Sequence, residues 1–465
     1  MSGLEYWIFL GFLIYIVACS ASYLLLNLVA FDTLRTYLQQ KRTQGGQSLN
    51  NGNEPPISVI VPAYNEGTTI VSSLRSILQL HYPRLEVVVV NDGSKDNTLD
   101  VLLSEFGFLA FPENISDSLP CAEIKQVYLS RTHKNLKLVD KANGGKADAI
   151  NAGINVCHSP LFCCIDADSI LEPDGLVRIV QPFLNHPETI ATGGTIRIAN
   201  GCTAKNGRII SKGVPSNFLA IFQMVEYLRA FLFGRIAWSR IKGLMIVSGA
   251  FGLFRKSTVV DAGGYTANTI GEDMELILRM YRTMIAQDKP FRVEFIPDAV
   301  CWTEAPESLK VFASQRRRWH RGLSESLMLN RSLLFGRKSG ILGWVAFPFF
   351  ILFEWLSPFV ELAGYIFTAY LLLSQQLSFL DASIIYIFAI QLSVLMSVVS
   401  LLLDEFTFPG STSMKGVLVL IFFAFLESFG YRQLNMVYKI QGSIEWLRNT
   451  KHKWGDMTRT GNWQK

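Results

Sequence analysis

Hydrophobic and polar positions divide the chain into three unlike parts. Residues 6–30 carry no charge, enough length for a helix to cross a hydrocarbon layer of roughly 30 Å. Arg35, Lys41 and Arg42 follow, and Lys/Arg excess marks the cytoplasmic side, so the N-terminus is expected outside and the next segment inside. No basic region precedes Tyr6, which argues for a retained span and against a cleaved leader. After a polar, Gly/Asn/Gln-rich linker (43–54), short apolar runs alternate with helical periodicities. Strands are predicted at 57–63, 86–91, 125–130, 161–166, 191–199 and 245–255, and helices at 146–157 and 173–185. Several of the strands are continuous apolar runs, as when helices cover both sheet faces. The alternation predicts an α/β domain with a mostly parallel sheet over about 55–330.

The third part is apolar again. Segment 341–374 holds two acids and no Lys or Arg, and Glu354 and Pro358 divide it. An interfacial or re-entrant piece is expected first, then a crossing at about 358–375, an outside turn and a return over 382–403. The run 416–426 stops at Glu427, a length typical of a re-entrant or interfacial element, so 416–437 is not expected to span simply. The tail carries Lys439, Arg448, Lys451, Lys453 and Arg459 and should lie inside. The expected order is a transmembrane helix (1–34), a linker (35–54), a cytoplasmic α/β domain (55–330), interfacial and transmembrane helices (331–437) and a cytoplasmic basic tail (438–465).

Composition agrees. Apolar residues make up 49% and charged residues 17%, against about 25% charge in soluble proteins, which fits a membrane protein with one sizeable soluble domain. The net charge of +5 is mostly membrane-orienting, and no nucleic-acid partner is expected. Seven cysteines show no C-x₂-C spacing and read as reduced, buried small hydrophobes.

Ligands of open α/β sheets sit beyond the carboxyl ends of the strands. Three strand tips there, "PAYNEG", "NDGSKDN" and "DADS", deliver Glu66, Asp92, Asp166 and Asp168 to one edge. One Asn-Asp-Gly tip would be an ordinary turn, but converging acids repel unless a cation is present. Hard oxygen ligands suit Mg²⁺ or Mn²⁺ completed by phosphate and water, so the implied substrate carries a diphosphate. "NGGKADAIN" places Gly144 and Gly145 at a helix start with Lys146 beside them, an anion-favouring arrangement that lacks the spacing of a phosphate-binding P-loop. "TIGEDMELILRM" puts Glu272 and Asp273 in a first helical turn. Such acids are either capping residues or, in a site without a Cys or Ser nucleophile motif, the general base for an acceptor hydroxyl. "QRRRWHRG" (315–322) is either a positive-inside anchor or part of the site.

"PAYNE", "NDGS", "NGGK", "DAD", "GED" and "QRRRW", in this order, closely resemble the membrane-embedded processive glycosyltransferases of family 2, the synthases of cellulose, chitin, hyaluronan and poly-β-1,6-N-acetylglucosamine. The resemblance implies a GT-A type nucleotide-sugar transferase domain inserted between transmembrane helices. It implies that Tyr64, Glu66 and Asp92 hold the uridine, that Lys146 lies near the nucleotide, and that Asp166 and Asp168 meet the nucleotide-sugar and its Mg²⁺ or Mn²⁺. Asp273 would be the base with Glu272 beside it; Gly271 stands where the family usually has Thr. Arg318 would bind diphosphate, and Gln315 and Trp319 the acceptor sugar, in keeping with an Arg fork on phosphate and an indole face on sugar C–H surfaces. Arg316 and Arg317 are left as membrane-side anchors. "VSGAFG", with Ser248 and Gly249, resembles the acceptor pocket, and "WGDMTRTG" resembles a hyaluronan synthase tail, making Trp454 and Arg459 substrate contacts. The implied function is processive, inverting polymerisation of a UDP-sugar of the N-acetylglucosamine or glucose type into a β-linked polysaccharide threaded outward, by a multi-pass protein of the plasma or inner membrane. The growing polysaccharide, the bilayer and accessory export proteins are the implied partners. The alternative is a non-processive enzyme that adds one sugar to a lipid.

Overall fold

The computed structural model describes residues 3–43 and 54–448, apart from 114, 206, 268 and 409. Ten strands form one mixed sheet in the order Phe108–Ala110, Ile124–Ser130, Leu136–Lys141, Leu85–Asp92, Ile57–Ala63, Leu161–Cys164, Gly252–Arg255, Thr189–Ile198, Arg292–Thr303, Ile170–Leu171. The four strands from Leu136–Lys141 to Leu161–Cys164 run parallel. Their alternate residues enter two different cores: Val59, Val61, Val87 and Val89 join the Ile70–Leu78 helix on one face, while Ile60, Val88 and Val90 join the Lys146–Val156 helix on the other. Burial on both faces is why these strands are continuous apolar runs.

The sheet is mixed, where a mostly parallel one was expected. Gly252–Arg255 runs antiparallel to both of its neighbours, and Ile124–Ser130 is antiparallel to Leu136–Lys141. The predicted strand 245–255 exists only as Gly252–Arg255; Ser248 to Phe251 form a turn instead, closed by the Phe251 N–H donating to the Ser248 carbonyl (3.1 Å). The predicted helix 173–185 is two short helices, Gly175–Ile179 and Gln181–Asn185, with Pro182 in the first turn of the second, where it removes a backbone donor.

The first helix runs Gly3–Thr43, so 35–43 is helical where a linker was expected. Its last turns are tied down by the Tyr37 hydroxyl (2.6 Å) and the Lys41 ammonium (2.5 Å), both on the Asp298 carboxylate. Among the described residues, Gly3–Thr43 and Phe379–Thr407 are long and apolar enough to cross a membrane. Two further pairs are bent: Leu342–Trp355 with Ser357–Leu373 by 44°, and Met414–Leu426 with Tyr431–Leu447 by 61°. The first bend falls beside Pro358 and the second at Gly430, whose φ is +109°, so 341–374 and 416–437 are each divided as their sequences predict. Tyr431–Leu447 packs along the Leu309–Leu329 helix, where Gly442 lets the two approach: a Cβ there would lie 2.4 Å from the Arg317 carbonyl oxygen.

Candidate active site

A cavity of about 2070 Å³ starts at the carboxyl ends of the central strands and continues between the apolar helices. Tyr64 and Glu66, just past the first strand, line it at the sheet edge; Glu66 is oriented by the Thr69 hydroxyl, which donates to its Oε2 (2.7 Å). Lys146, Asp166 and Asp168 line the same edge. Lys146 Nζ stands 2.5 Å from Asp166 Oδ1. Burial opposes its charge, but Asp166, Glu272 and Asp273 outweigh that and raise its pKa, so the ammonium is a fixed positive charge.

Asp92 stands behind the wall. Its Oδ1 accepts from Lys141 Nζ (2.6 Å) and the Gly144 N–H (3.0 Å), and its Oδ2 from the Gly145 N–H (2.8 Å) and Asn143 Nδ2 (3.2 Å). These four bonds use the acceptor capacity of a carboxylate, and a uridine contact would have to displace one of them. The anion met by the "NGG" backbone is thus the protein's own. Fully buried Lys141 also pairs with Asp148 (2.6 Å), and Gly144 is required because a Cβ would fall 2.3 Å from Asp148 Oδ1. Gly145, at φ +90°, turns the chain so that Lys146 opens the helix.

Glu272 and Asp273 open the Glu272–Ala286 helix, where the helix dipole favours negative charge. Asp273 Oδ2 accepts from the Gly249 N–H (3.3 Å) and Oδ1 from the Met274 N–H (2.8 Å). A Cβ on Gly249 would sit 3.5 Å from Lys146 Nζ, so the Ser248–Phe251 turn lies directly on the lysine and the acid. Burial, with Asp273 adding and Lys146 opposing, pushes the Glu272 carboxyl up to about 6.

On the Leu309–Leu329 helix, Gln315, Arg318 and Trp319 share a face at i, i+3 and i+4 and all three line the cavity. Trp319 packs against Tyr227 and Phe231, with ring centroids 6.1 and 5.7 Å apart. Arg316 is no membrane anchor: it is buried, 2.8 Å from Glu226 and over the Trp319 ring at 4.5 Å. Arg317 is half-buried, 3.4 Å from Glu445. Trp454 and Arg459 lie outside the described residues.

Asp166 and Asp168 are hard oxygen donors two residues apart, and no cluster of three or more His, Cys, Asp or Glu fit for a metal occurs among the described residues. The pair fits a hard divalent cation that takes the rest of its shell from phosphate and water, as Mg²⁺ commonly does.

Two family descriptions match this domain: residues 58–113 match "Glycosyl transferase family 2" and residues 121–322 match "Glycosyltransferase like family 2". It is a family 2 glycosyltransferase domain. Over 275 residues it is 28% identical to the poly-β-1,6-N-acetyl-D-glucosamine synthase of Staphylococcus epidermidis and 30% identical to that of Staphylococcus aureus strain COL. Each match covers 58% of this chain and 55% of the relative, so the chain spans about half the length of the curated relatives it matches. A solved structure, mannosyltransferase PcManGT from Pyrobaculum calidifontis in complex with GDP-Man and Mn²⁺, overlaps 93% of this chain and all of its own at 18% identity and a TM-score of 0.48, too loose a likeness to bear on substrate or metal.

The family 2 glycosyltransferase domain explains its own departure from the usual motif. Gly271 precedes the acids because a Cβ there would lie 2.8 Å from the Cα and carbonyl oxygen of Gly322; two glycines let the helix of the acids cross the helix of Arg318 and Trp319 at contact distance. Several partners of the site have no motif to mark them. Glu226 and Arg235 are visible in sequence only as charges inside otherwise apolar runs, and Lys141 only as one charge among several.

Proposed function

We propose that the protein is a processive, inverting glycosyltransferase that draws UDP-sugar from the cytoplasm and extends a β-linked polysaccharide. The observation that carries this reading is one cavity lined by Lys146, Asp166, Asp168, Asp273, Arg318 and Trp319 together, and continuing between apolar helices. Poly-β-1,6-N-acetylglucosamine synthases among the relatives favour UDP-N-acetylglucosamine over UDP-glucose as donor.

In this mechanism Asp273 takes the proton of the acceptor hydroxyl, whose oxygen attacks the anomeric carbon from the face opposite the diphosphate. The bond from that carbon to the diphosphate oxygen breaks, and configuration inverts. Lys146 and Arg318 stabilise the charge that develops on the leaving UDP, a preorganised electrostatic role. Asp166 and Asp168 would hold Mg²⁺ or Mn²⁺, which when bound neutralises diphosphate. Gln315, Ser248 and Gly249 position the acceptor sugar and Trp319 stacks under it. A passage beyond Trp319 suits a chain that stays bound between additions better than a single-sugar transfer to lipid. The experiment is UDP release by purified protein over a panel of UDP-sugars with Mg²⁺ or Mn²⁺, beside Asp273→Asn. Turnover on one donor, lost in Asp273→Asn while calorimetry still detects UDP binding, is expected. Turnover kept by Asp273→Asn, or UDP binding lost with it, refutes the assignment of the base.

A further inference from the structure

Among the described residues the other buried arginines are each paired: Arg197 meets Asp404, Arg316 meets Glu226 and Arg321 meets Glu325. Arg235 is the exception. It is 6% exposed, its Nη1 has no hydrogen-bond partner among the described residues, and its guanidinium stacks on the Phe231 ring, 4.6 Å from the centroid. A buried charge left this way costs stability, so its retention calls for a ligand.

Its placement says which ligand. Arg235 lines the cavity on the helix Gly234–Arg240, directly after the π-helical turn Leu228–Phe233; such turns are rare and gather at functional sites. Tyr227, Phe231 and Arg235 follow at four-residue spacing, and the two rings pack on Trp319. Arg235 also feels the charge of Asp273, which opposes the lowering of its pKa by burial to about 10. It thus lines the same cavity as Asp273, beside the aromatic surface of Phe231, Tyr227 and Trp319, whereas Lys146 is held on Asp166.

We infer that Arg235 is a substrate-contacting residue of the acceptor site, its Nη1 N–H donating to a hydroxyl, ring or amide oxygen of the terminal sugar and holding that sugar on the Trp319 side of Asp273. This rests on the transfer reaction proposed above. The diphosphate is the less favoured ligand, because the aromatic faces beside Arg235 suit a sugar.

The test uses full-length protein in detergent with the variants Arg235→Met and Arg235→Lys. Loss of one charge-assisted hydrogen bond corresponds to roughly a 10- to 150-fold effect. Arg235→Met should lose that much transfer and make shorter product, keep its UDP affinity, and unfold at an unchanged or higher temperature; Arg235→Lys should recover part of the transfer. A merely structural arginine would instead lower the unfolding temperature in step with activity, with no recovery by lysine, and that result overturns the inference. So does transfer within about threefold of the unaltered protein, or loss of UDP affinity, which would put Arg235 on the diphosphate. Absence of any transfer by the unaltered protein would remove the proposed reaction itself, an outcome distinct from transfer that survives in Arg235→Met.

Discussion

Adding a single methyl group at Gly271 should damage catalysis more than binding. The ideal Cβ falls 2.8 Å from the Cα and carbonyl oxygen of Gly322 and 2.9 Å from its carbonyl carbon. All three are backbone atoms, so no rotamer change relieves the contact. To reach the 3.4 Å at which ordinary contact begins, the 2.8 Å approach must open by about 0.6 Å, in an interior packed too densely to absorb it locally. The crossing is also tied by the Ile270 N–H on Glu325 Oε2 (2.9 Å) and the Ser326 hydroxyl on the Gly271 carbonyl (3.3 Å), so separation strains both. Glu272 and Asp273 follow Gly271 directly, and Arg318 and Trp319 lie one turn before Gly322. Overpacking of this kind costs about 1–3 kcal/mol of stability, and a misplacement approaching 1 Å costs up to about 100-fold in rate. Gly271→Ala should therefore lower UDP release by roughly 10- to 100-fold, with a smaller loss of UDP affinity, because of the residues assigned to UDP only Arg318 is on the displaced helix while Tyr64, Lys146 and Asp166 are on other elements. Gly322→Ala should reproduce the defect from the other side. Rate per folded molecule is the deciding quantity, measured by UDP release normalised to the fraction folded. Full turnover in Gly271→Ala would refute the claim that this crossing sets the catalytic geometry, and so would a loss explained entirely by unfolding.

Two further outcomes follow from the site. Asp168→Asn should nearly abolish turnover, because a neutral amide cannot anchor a divalent cation against diphosphate, and excess EDTA should do the same to the unaltered protein; activity that survives EDTA contradicts the metal assignment. Glu272 has its folded-state pKa raised from 4.5 to about 6, so it favours the folded state below pH 4.5 and that contribution, roughly 2 kcal/mol at 1.36 kcal/mol per unit, is lost as pH rises through 6. Glu272→Gln should flatten this part of the thermal-stability profile, and an unchanged slope between pH 4.5 and 6 would count against the burial of Glu272 as its cause.

The acidic strand-tip edge is legible in the sequence because its carboxylates, glycines and lysine stand at fixed offsets from strands whose two-faced burial leaves apolar runs. Leu136–Lys141 is not, since Lys137 and Lys141 interrupt it, and Lys141 is buried only because Asp92 and Asp148 meet it. Arg292–Thr303 escaped because its pairing shifts register between Ile296 and Val300, which spoils any simple period. Segment 245–255 has the composition of a strand because Val247, Phe251 and Leu253 are core residues, yet the small residues between them turn onto Asp273. "QRRRW" looks uniformly basic along the chain; only the helix separates cavity-facing Arg318 from Arg316, which is buried on Glu226. Arg235 shows in the sequence only as one charge in an apolar run, and nothing there says whether an acid meets it.

In a processive mechanism one acceptor end stays in the cavity through many additions. The measurement is the size distribution of radiolabelled product at low donor conversion, with purified protein limiting, for the unaltered protein and Trp319→Ala. The account predicts long chains from the unaltered protein while most donor remains, and in Trp319→Ala short or absent chains with UDP binding kept, since loss of one stacking contact of about 1–3 kcal/mol speeds acceptor release by roughly 5- to 150-fold. A single sugar on a lipid, or chains of equal length from Trp319→Ala, would contradict it.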